Sequence, residues 1–343
     1  MAFEKLTQRE RLVLQSLINY YIATAEPVGS RIIAEKYRLG ISPATIRNTM
    51  KDLEEMGLIN HPHTSAGRVP TDEGYRMYVD SMMGKDPLTA IEENQIRREI
   101  SADYAAVEDI LEQTARVLAT VSRQLGVTIA PRFDQGILTR INLIPVADKK
   151  ILVVLAVKHG LVRSVILEAE SSIDTEQMEE TADILNERLS GLTLGEIKDS
   201  IDERLKEASI GDPKLIKLFL DSTENLLSFT EPDQMHLGGT RNIVDQPEFK
   251  DREKLSSLIQ VLEEKKLLAE LVSAKGIKEG ITITIGKEIE TGEMQSCSLV
   301  TSPYEAGKVR GTIGIIGPTR MRYSKLVSMV EYTARLLSDL LSK

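Results

Sequence analysis

Apolar residues return at helical spacing almost from the start of the chain. Leu14, Leu17, Ile18, Tyr21 and Ile22 give a first helix one buried face. Thr7 and Glu10 stand at its beginning with capping-box spacing. Pro27 and Gly29 break the pattern, and Ser30 is placed to cap a second short helix with Ile32, Ile33 and Tyr37 as its contacts. Gly40 marks a turn. Ser42 and Pro43 then open a third helix, because the serine hydroxyl accepts an orphan amide and proline fits the first turn. Ile46, Met50, Leu53 and Met56 form its predicted buried stripe, and Gly57 supplies a left-handed stop. Ala44, Thr45, Arg47, Asn48 and Lys51 occupy the opposite face. Short strands at 58–60 and 68–69 flank the loop 61–67, the outline of a wing, and Thr71 caps a further helix carrying Met77, Tyr78 and Met82.

Gly84-Lys85-Asp86-Pro87 reads as a linker. Beyond it, 88–125 is a long helical stretch with a break near Ala102 and Asp103. Residues 137–145, 151–158 and 161–168 read as three strands joined by short turns into a meander. Helical patterns cover 174–190, 194–208 and 213–229, while 230–241 reads as loop. One helix is expected near 251–273, strands at 281–285, 298–301 and 311–316, and a closing amphipathic helix at 323–341. No repeat of fixed period and no low-complexity tract is visible.

Length and composition narrow the class. The 343 residues allow two or three domains, and 41% hydrophobic with 28% charged residues is the balance of a globular chain. Aromatic residues make up only 4%, with no Trp, which disfavours stacking platforms for single strands. Cys297 is the one cysteine, so an intrachain disulfide framework and a multi-cysteine zinc site are excluded, and a reducing compartment is expected. The longest purely apolar run, 151–157, is far short of the roughly 20 residues of a membrane helix. The first residues pass into charged helix without a secretory apolar segment. The expectation is a soluble cytoplasmic protein with no membrane partner.

The net charge of −9 speaks against nucleic acid until it is mapped. Residues 1–84 carry ten basic and ten acidic side chains, so the whole acidic excess lies beyond them. Within 27–51, Arg31, Lys36, Arg38, Arg47 and Lys51 face only Glu35. A basic patch on an acidic body can dock on DNA while the body repels non-specific contact.

Three helices followed by a wing carry the strongest chemical signal. A recognition helix needs an apolar stripe to fix its angle and short or forked polar side chains to reach base edges. Arg47 can bridge guanine O6 and N7, and Asn48 can pair with adenine. Ser42 and Thr45 lie at the helix start, where phosphate is favoured; Ala44 and Lys51 complete the face. Ser30, Arg31, His63, Thr64, Ser65, Gly67 and Arg68 are the candidate backbone contacts, with Arg68 as the fixed cation of the wing. The plainer alternative is a winged helix used only for protein contacts. His61 and His63 lack a third ligand for zinc, so no metal is expected. The stretch from Gly280 to Gly286-Lys287-Glu288 has five intervening residues rather than four, and Glu288 where a phosphate loop has Ser or Thr. Gly311, Gly314 and Gly317 miss the dinucleotide spacing, and His159, His236 and Cys297 form no local catalytic signature. No enzyme activity and no cofactor are expected.

The runs Pro27-Val28-Gly29-Ser30-Arg31, Ser42-Pro43-Ala44-Thr45-Ile46-Arg47-Asn48 and Leu53-Glu54-Glu55-Met56-Gly57 together resemble one family closely. So do Thr64-Ser65-Ala66-Gly67-Arg68-Val69-Pro70-Thr71, Gly74-Tyr75-Arg76 and the segment from Gly311 through Arg320-Met321-Arg322-Tyr323. The chain is similar to the bacterial heat-inducible transcription repressor HrcA family over nearly its whole length. That resemblance implies a dimeric repressor of the groE and dnaK chaperone operons, binding the CIRCE inverted repeat in double-stranded DNA with help from the chaperonin GroEL. It implies an α+β multidomain fold: an N-terminal winged helix-turn-helix over 1–84, a GAF-like α/β domain formed by 88–135 and 223–343, and an inserted α+β dimerisation domain at 136–222. The other reading kept open is a winged-helix repressor whose GAF-like domain senses a small metabolite.

Overall fold

Three of the four N-terminal helices begin at a side-chain cap, and all of them bury an apolar side. In the computed structural model, which describes residues 6–62, 67–100, 107–131, 136–158, 161–169, 174–206, 211–227, 235–276, 280–307 and 309–342, α1 spans Gln8–Thr24. Thr7 and Glu10 close its capping box reciprocally. Helices α2 (Ser30–Tyr37) and α3 (Pro43–Glu55) follow, then strands β1 (Ile59–Asn60) and β2 (Val69–Pro70) and helix α4 (Asp72–Ser81). Val13, Leu14, Leu17, Ile18, Ile33, Ile46 and Leu53 are fully buried in their shared core. Ser30 is the first residue of α2 and makes no capping bond; Gly29 holds the cap position. Met56, expected in the α3 stripe, is half exposed, because it lies at the cap just past the helix; Thr49 joins Ile46, Met50 and Leu53 on the buried face instead. Gly57 follows with a φ of 77°, the left-handed stop expected of it.

The stretch read as helix with a break near Ala102 and Asp103 holds two helices, α5 (Ala90–Glu99), which ends before that point, and α6 (Val107–Ser122), which begins after it; its last residue opens strand β3 (Leu125–Ile129). A meander follows, β4 (Leu138–Ala147), β5 (Lys150–Val157) and β6 (Leu161–Glu168), paired antiparallel in that order. Its inner face, including Ile141, Val153, Leu155 and Leu167, joins the core that also holds Met178, Leu185 and Leu189 of α7 (Thr175–Leu189). Helices α8 (Leu194–Leu205), α9 (Pro213–Asp221) and α10 (Thr223–Leu227) complete this unit, with α10 packed on α8 and α9. The outer face leaves Ile144, Val162 and Ile166 roughly half exposed. Ile144 and Ile166 stand on either side of Leu152 in the register.

The chain then returns to β3. Strand β7 (Met235–Gly238) lies where loop was expected, and α11 (Thr240–Val244) follows it. The single helix expected at 251–273 bends at Glu264 into α12 (Arg252–Glu263) and α13 (Lys265–Gly276). That bend lets Leu258 and Val261 share one cluster with Leu268 and Val272. Strands β8 (Thr282–Ile285), β9 (Cys297–Ala306) and β10 (Val309–Pro318) precede α14 (Tyr323–Leu341). Among the described residues, β7-β3-β10-β9-β8 form one antiparallel sheet. Helices α6 and α14 cover one face, and α12 and α13 pack on the other. β3 comes from before the meander and the other four strands from after it, so this sheet is interrupted in sequence by the meander unit.

Candidate nucleic-acid interface

Helix α3 presents the geometry of a reading helix. Ser42 caps it: its Oγ accepts from the Thr45 amide at 3.1 Å and lies 2.9 Å from the Thr45 hydroxyl. Ile46, Thr49, Met50 and Leu53 are buried, which fixes the helix against the three-helix core. Thr49 was not expected inside; its hydroxyl satisfies itself on the Thr45 carbonyl at 3.1 Å. Ala44, Arg47, Asn48 and Lys51 are exposed on the opposite face, and Thr45 is half-buried. Lys51 lies 3.5 Å from Glu55, one turn on, in an exposed pair of little energetic weight. Arg31 is exposed on α2 and Ser30 half-buried at its first turn. Lys36 sits 4.8 Å from the centre of the Tyr20 ring, so part of the basic patch rests on an aromatic face.

The wing is held close to its base. Val28 and Arg68 form an antiparallel bridge, with amide-to-carbonyl distances of 2.8 and 2.9 Å. A Cβ on Gly67 would fall 2.6 Å from the Val28 backbone, so only glycine permits this approach. His63, Thr64 and Ser65, together with Ala66, lie outside the described residues.

The Arg68 side chain is engaged by Glu54 and His61. Its Nε donates to Glu54 Oε2 at 3.0 Å, and Nη2 reaches the same carboxylate at 2.8 Å. Its Nη1 lies 2.7 Å from His61 Nδ1. A guanidinium has no acceptor, so this contact requires Nδ1 to accept and leaves any ring proton on Nε2, which lies 3.7 Å from Glu54 Oε1. The sequence marks Arg68 as a cation for phosphate; in the structure its guanidinium ties the wing to the end of α3. Glu54 and His61 are its partners. Their only sequence signal was their place in the runs on either side of Gly57.

Other candidate chemistry is spread apart. Among the described residues no group of three or more His, Cys, Asp or Glu is arranged to hold a metal ion. Burial pushes the Cys297 thiol up to about 12, which removes its nucleophilic thiolate at neutral pH. His236 lies on β7, half-buried, and burial pulls its pKa below the ordinary value, opposed by Glu112 and Glu108 and reinforced by Lys265. No helix among the described residues is long and apolar enough to cross a membrane.

A capped helix with a free polar face, followed by a two-stranded wing and joined to a mixed α+β body, defines a winged-helix DNA-binding regulator. Comparison with known proteins narrows this further. Residues 5–82 match the family described as "Winged helix-turn-helix transcription repressor, HrcA DNA-binding", and residues 108–327 match "HrcA protein C terminal domain". The chain is 39% identical over 340 residues to the heat-inducible transcription repressor HrcA of Pelotomaculum thermopropionicum, covering 99% of this chain and 98% of that one. It is 40% identical over 353 residues to the HrcA of Chlorobium phaeobacteroides, covering both chains fully. A crystal structure titled only as a hypothetical protein superposes with a TM-score of 0.66 at 25% identity, covering 98% of this chain and 99% of the other. The chain belongs to the HrcA family of heat-inducible transcription repressors, and its winged helix is the DNA-binding domain of that family.

Proposed function

We propose that the chain represses the groE and dnaK heat-shock chaperone operons by binding the CIRCE inverted repeat as a homodimer, with its activity linked to the chaperonin GroEL. The observation that carries the DNA reading is the free face of α3 on a buried, capped helix. In this reading Ser42, Ala44, Thr45, Arg47, Asn48 and Lys51 meet the major groove, and Ser30, Arg31, His63, Thr64 and Ser65 meet the sugar-phosphate backbone. Gly67 and Arg68 shape the wing. The protein acts in the cytoplasm by binding alone, with no catalytic step and no cofactor.

Residues 1–84 form the reading head, 88–135 and 223–343 a GAF-like body, and 136–222 an inserted dimerisation domain. The sheet that β3 shares with β7–β10 supports the interrupted body. The packing of α10 on α8 and α9 favours carrying the insert on to residue 227. The half-exposed Ile144, Val162 and Ile166 on the outer face of the meander support dimerisation there, because a second copy would remove them from water. A symmetric dimer suits an inverted repeat, since each half-site then meets one head and the tether makes the second contact intramolecular.

Chaperonin dependence follows by mass action: unfolded protein that occupies the chaperonin lowers the active repressor fraction, and transcription rises. Sedimentation of the full chain and of a Val162→Asp/Ile166→Asp variant, with titration on whole and half operators, tests the reading. The expected result is a wild-type dimer that prefers the whole repeat and a variant that is monomeric and has lost that preference. A dimeric variant moves the interface elsewhere. A promoter footprint with and without chaperonin tests the regulatory link.

A further inference from the structure

The seam between head and body is built from charged and aromatic groups of the body that meet α1 and α4 of the head and the linker. At α4, the Arg76 guanidinium donates to Glu288 Oε1 and to the Ile283 carbonyl, both at 2.7 Å. Beside it, the Asp72 carboxylate accepts from the Lys287 amide at 3.0 Å. Gly286 makes this approach possible, since a Cβ there would lie 2.3 Å from the Asp72 carboxylate carbon. At the end of α1, the Ile22 carbonyl accepts from Arg320 at 2.9 Å. The same guanidinium is held by Glu248 at 2.6 Å and by Gln246 at 3.2 Å. Its side chain is only 13% exposed and that of Glu248 17%. At the linker, Lys325 binds the Pro87 carbonyl at 3.0 Å and Glu92 at 2.6 Å. Between head and body the Tyr75 and Tyr323 rings pack with centroids 5.9 Å apart.

Apolar surfaces alone can slide or rotate with small loss. A guanidinium bound to a carboxylate and a backbone carbonyl at once accepts few orientations. Arg76 and Arg320 each make such a fork, one at α4 and the other at the end of α1, and Lys325 adds a third point at the linker. None of these groups lies on the free face of α3 or in the wing.

We propose that Arg76 and Arg320 are positioning residues for operator recognition: they fix the angle of the head on the body and so set the half-site spacing that a pair of heads accepts. This rests on the paired-head reading above. In a dimer the body carries the symmetry axis, so the separation of the two α3 helices is fixed only as well as each head is fixed on its body. Lock the head and one spacing is favoured; loosen it and the second head must search a wider volume, which lowers its effective concentration.

The test uses the full chain and its Arg320→Ala and Arg76→Ala variants. The second probes a separate anchor should loss of the Arg320 ion pair prevent folding. Binding is measured on a half-site, on the inverted repeat, and on repeats whose spacer is changed in single base-pair steps through about half of the roughly 10-bp helical turn. The expected variants bind the half-site within about twofold of wild type, lose about tenfold or more on the whole repeat, and show a flattened spacing profile. A wild-type spacing profile in folded variants overturns the proposal. So does an equal loss on half and whole sites, which would mean that these arginines only hold the head together. If the wild-type chain itself binds half and whole sites equally, the paired-head reading fails first and the proposal falls with it. That result is distinct from a discriminating wild type whose variants match it.

Discussion

Arg68→Ala separates two roles that a wing arginine can play. A free phosphate contact would leave the fold unchanged and lower the slope of log K against log salt by about 0.9. The geometry points elsewhere. Truncation removes two contacts to Glu54, at 3.0 and 2.8 Å, and one to His61 at 2.7 Å. The two charged side chains are 19% and 29% exposed, between a surface pair and a buried one. Exposed pairs are worth about 0–1 kcal/mol, and breaking a buried pair costs about 3–5, so the expected loss of stability is about 1–2 kcal/mol. DNA affinity falls as well, because the Glu54 carboxylate beside the wing loses its counter-charge. Removing Glu54 too should recover part of both losses. The assay is a double-mutant cycle of Arg68→Ala and Glu54→Ala in the full chain, read by urea unfolding and by operator titration at several salt concentrations. Zero coupling, unchanged stability and a slope reduced by about 0.9 would refute the wing tie and restore the phosphate contact.

Arg47→Ala should leave the thermal midpoint unmoved while weakening operator binding by about 1–3 kcal/mol and relaxing base choice at one position; the residue is exposed and off the buried stripe. Operator and scrambled duplexes compared side by side with a melting curve check this. Cys297 should resist thiol reagents in the folded protein and react on unfolding, since it is 1% exposed and its thiol is pushed up to about 12; reaction at the rate of a free thiol would contradict that burial. His236 has a folded pKa below its ordinary 6.5, so as pH falls through 6.5 the unfolded chain takes up a proton that the folded chain resists, and stability drops toward acid. His236→Gln should flatten unfolding free energy against pH in that window, and an unchanged profile would assign the acid loss to other groups.

Elements that carried their own punctuation were legible in the sequence. α3 announced itself through Ser42, Pro43 and Gly57, and α14 begins and ends where its amphipathic pattern does. The meander was legible as three short strand-like runs; β5 is wholly apolar from Ile151 to Val157, and the fold turns Ile151, Val153, Leu155 and Val157 inside. β3 was illegible for the opposite reason. It lies between β7 and β10 with helices over both faces, so all five of its residues are buried and no alternation remains. β7 offers four residues, including His236 and Gly238, and owes its pairing to β3 rather than to local preference. The bend at Glu264 is likewise tertiary: the charged run 263–266 continues a helical pattern, and only the shared cluster of Leu258, Val261, Leu268 and Val272 requires the turn.

The same division runs through the site. The polar face of α3 could be read from spacing, because a helix maps positions three and four apart onto one side whatever it packs against. Arg68 could be read as a cation but not as a spent one: its partners Glu54 and His61 precede it by fourteen and seven residues, across the wing. Arg76 and Arg320 lie further from legibility, with partners more than two hundred residues away at Glu288 and Ile22. A run such as Thr319-Arg320-Met321-Arg322-Tyr323 can match a family closely and still conceal its work. Arg320 reaches α1, Arg322 pairs with Asp86, and Tyr323 packs on Tyr75, so one short segment of the body meets two separate parts of the head and the linker. The reading surface was visible because it is local; what aims it was hidden because its contacts join chain segments far apart in sequence.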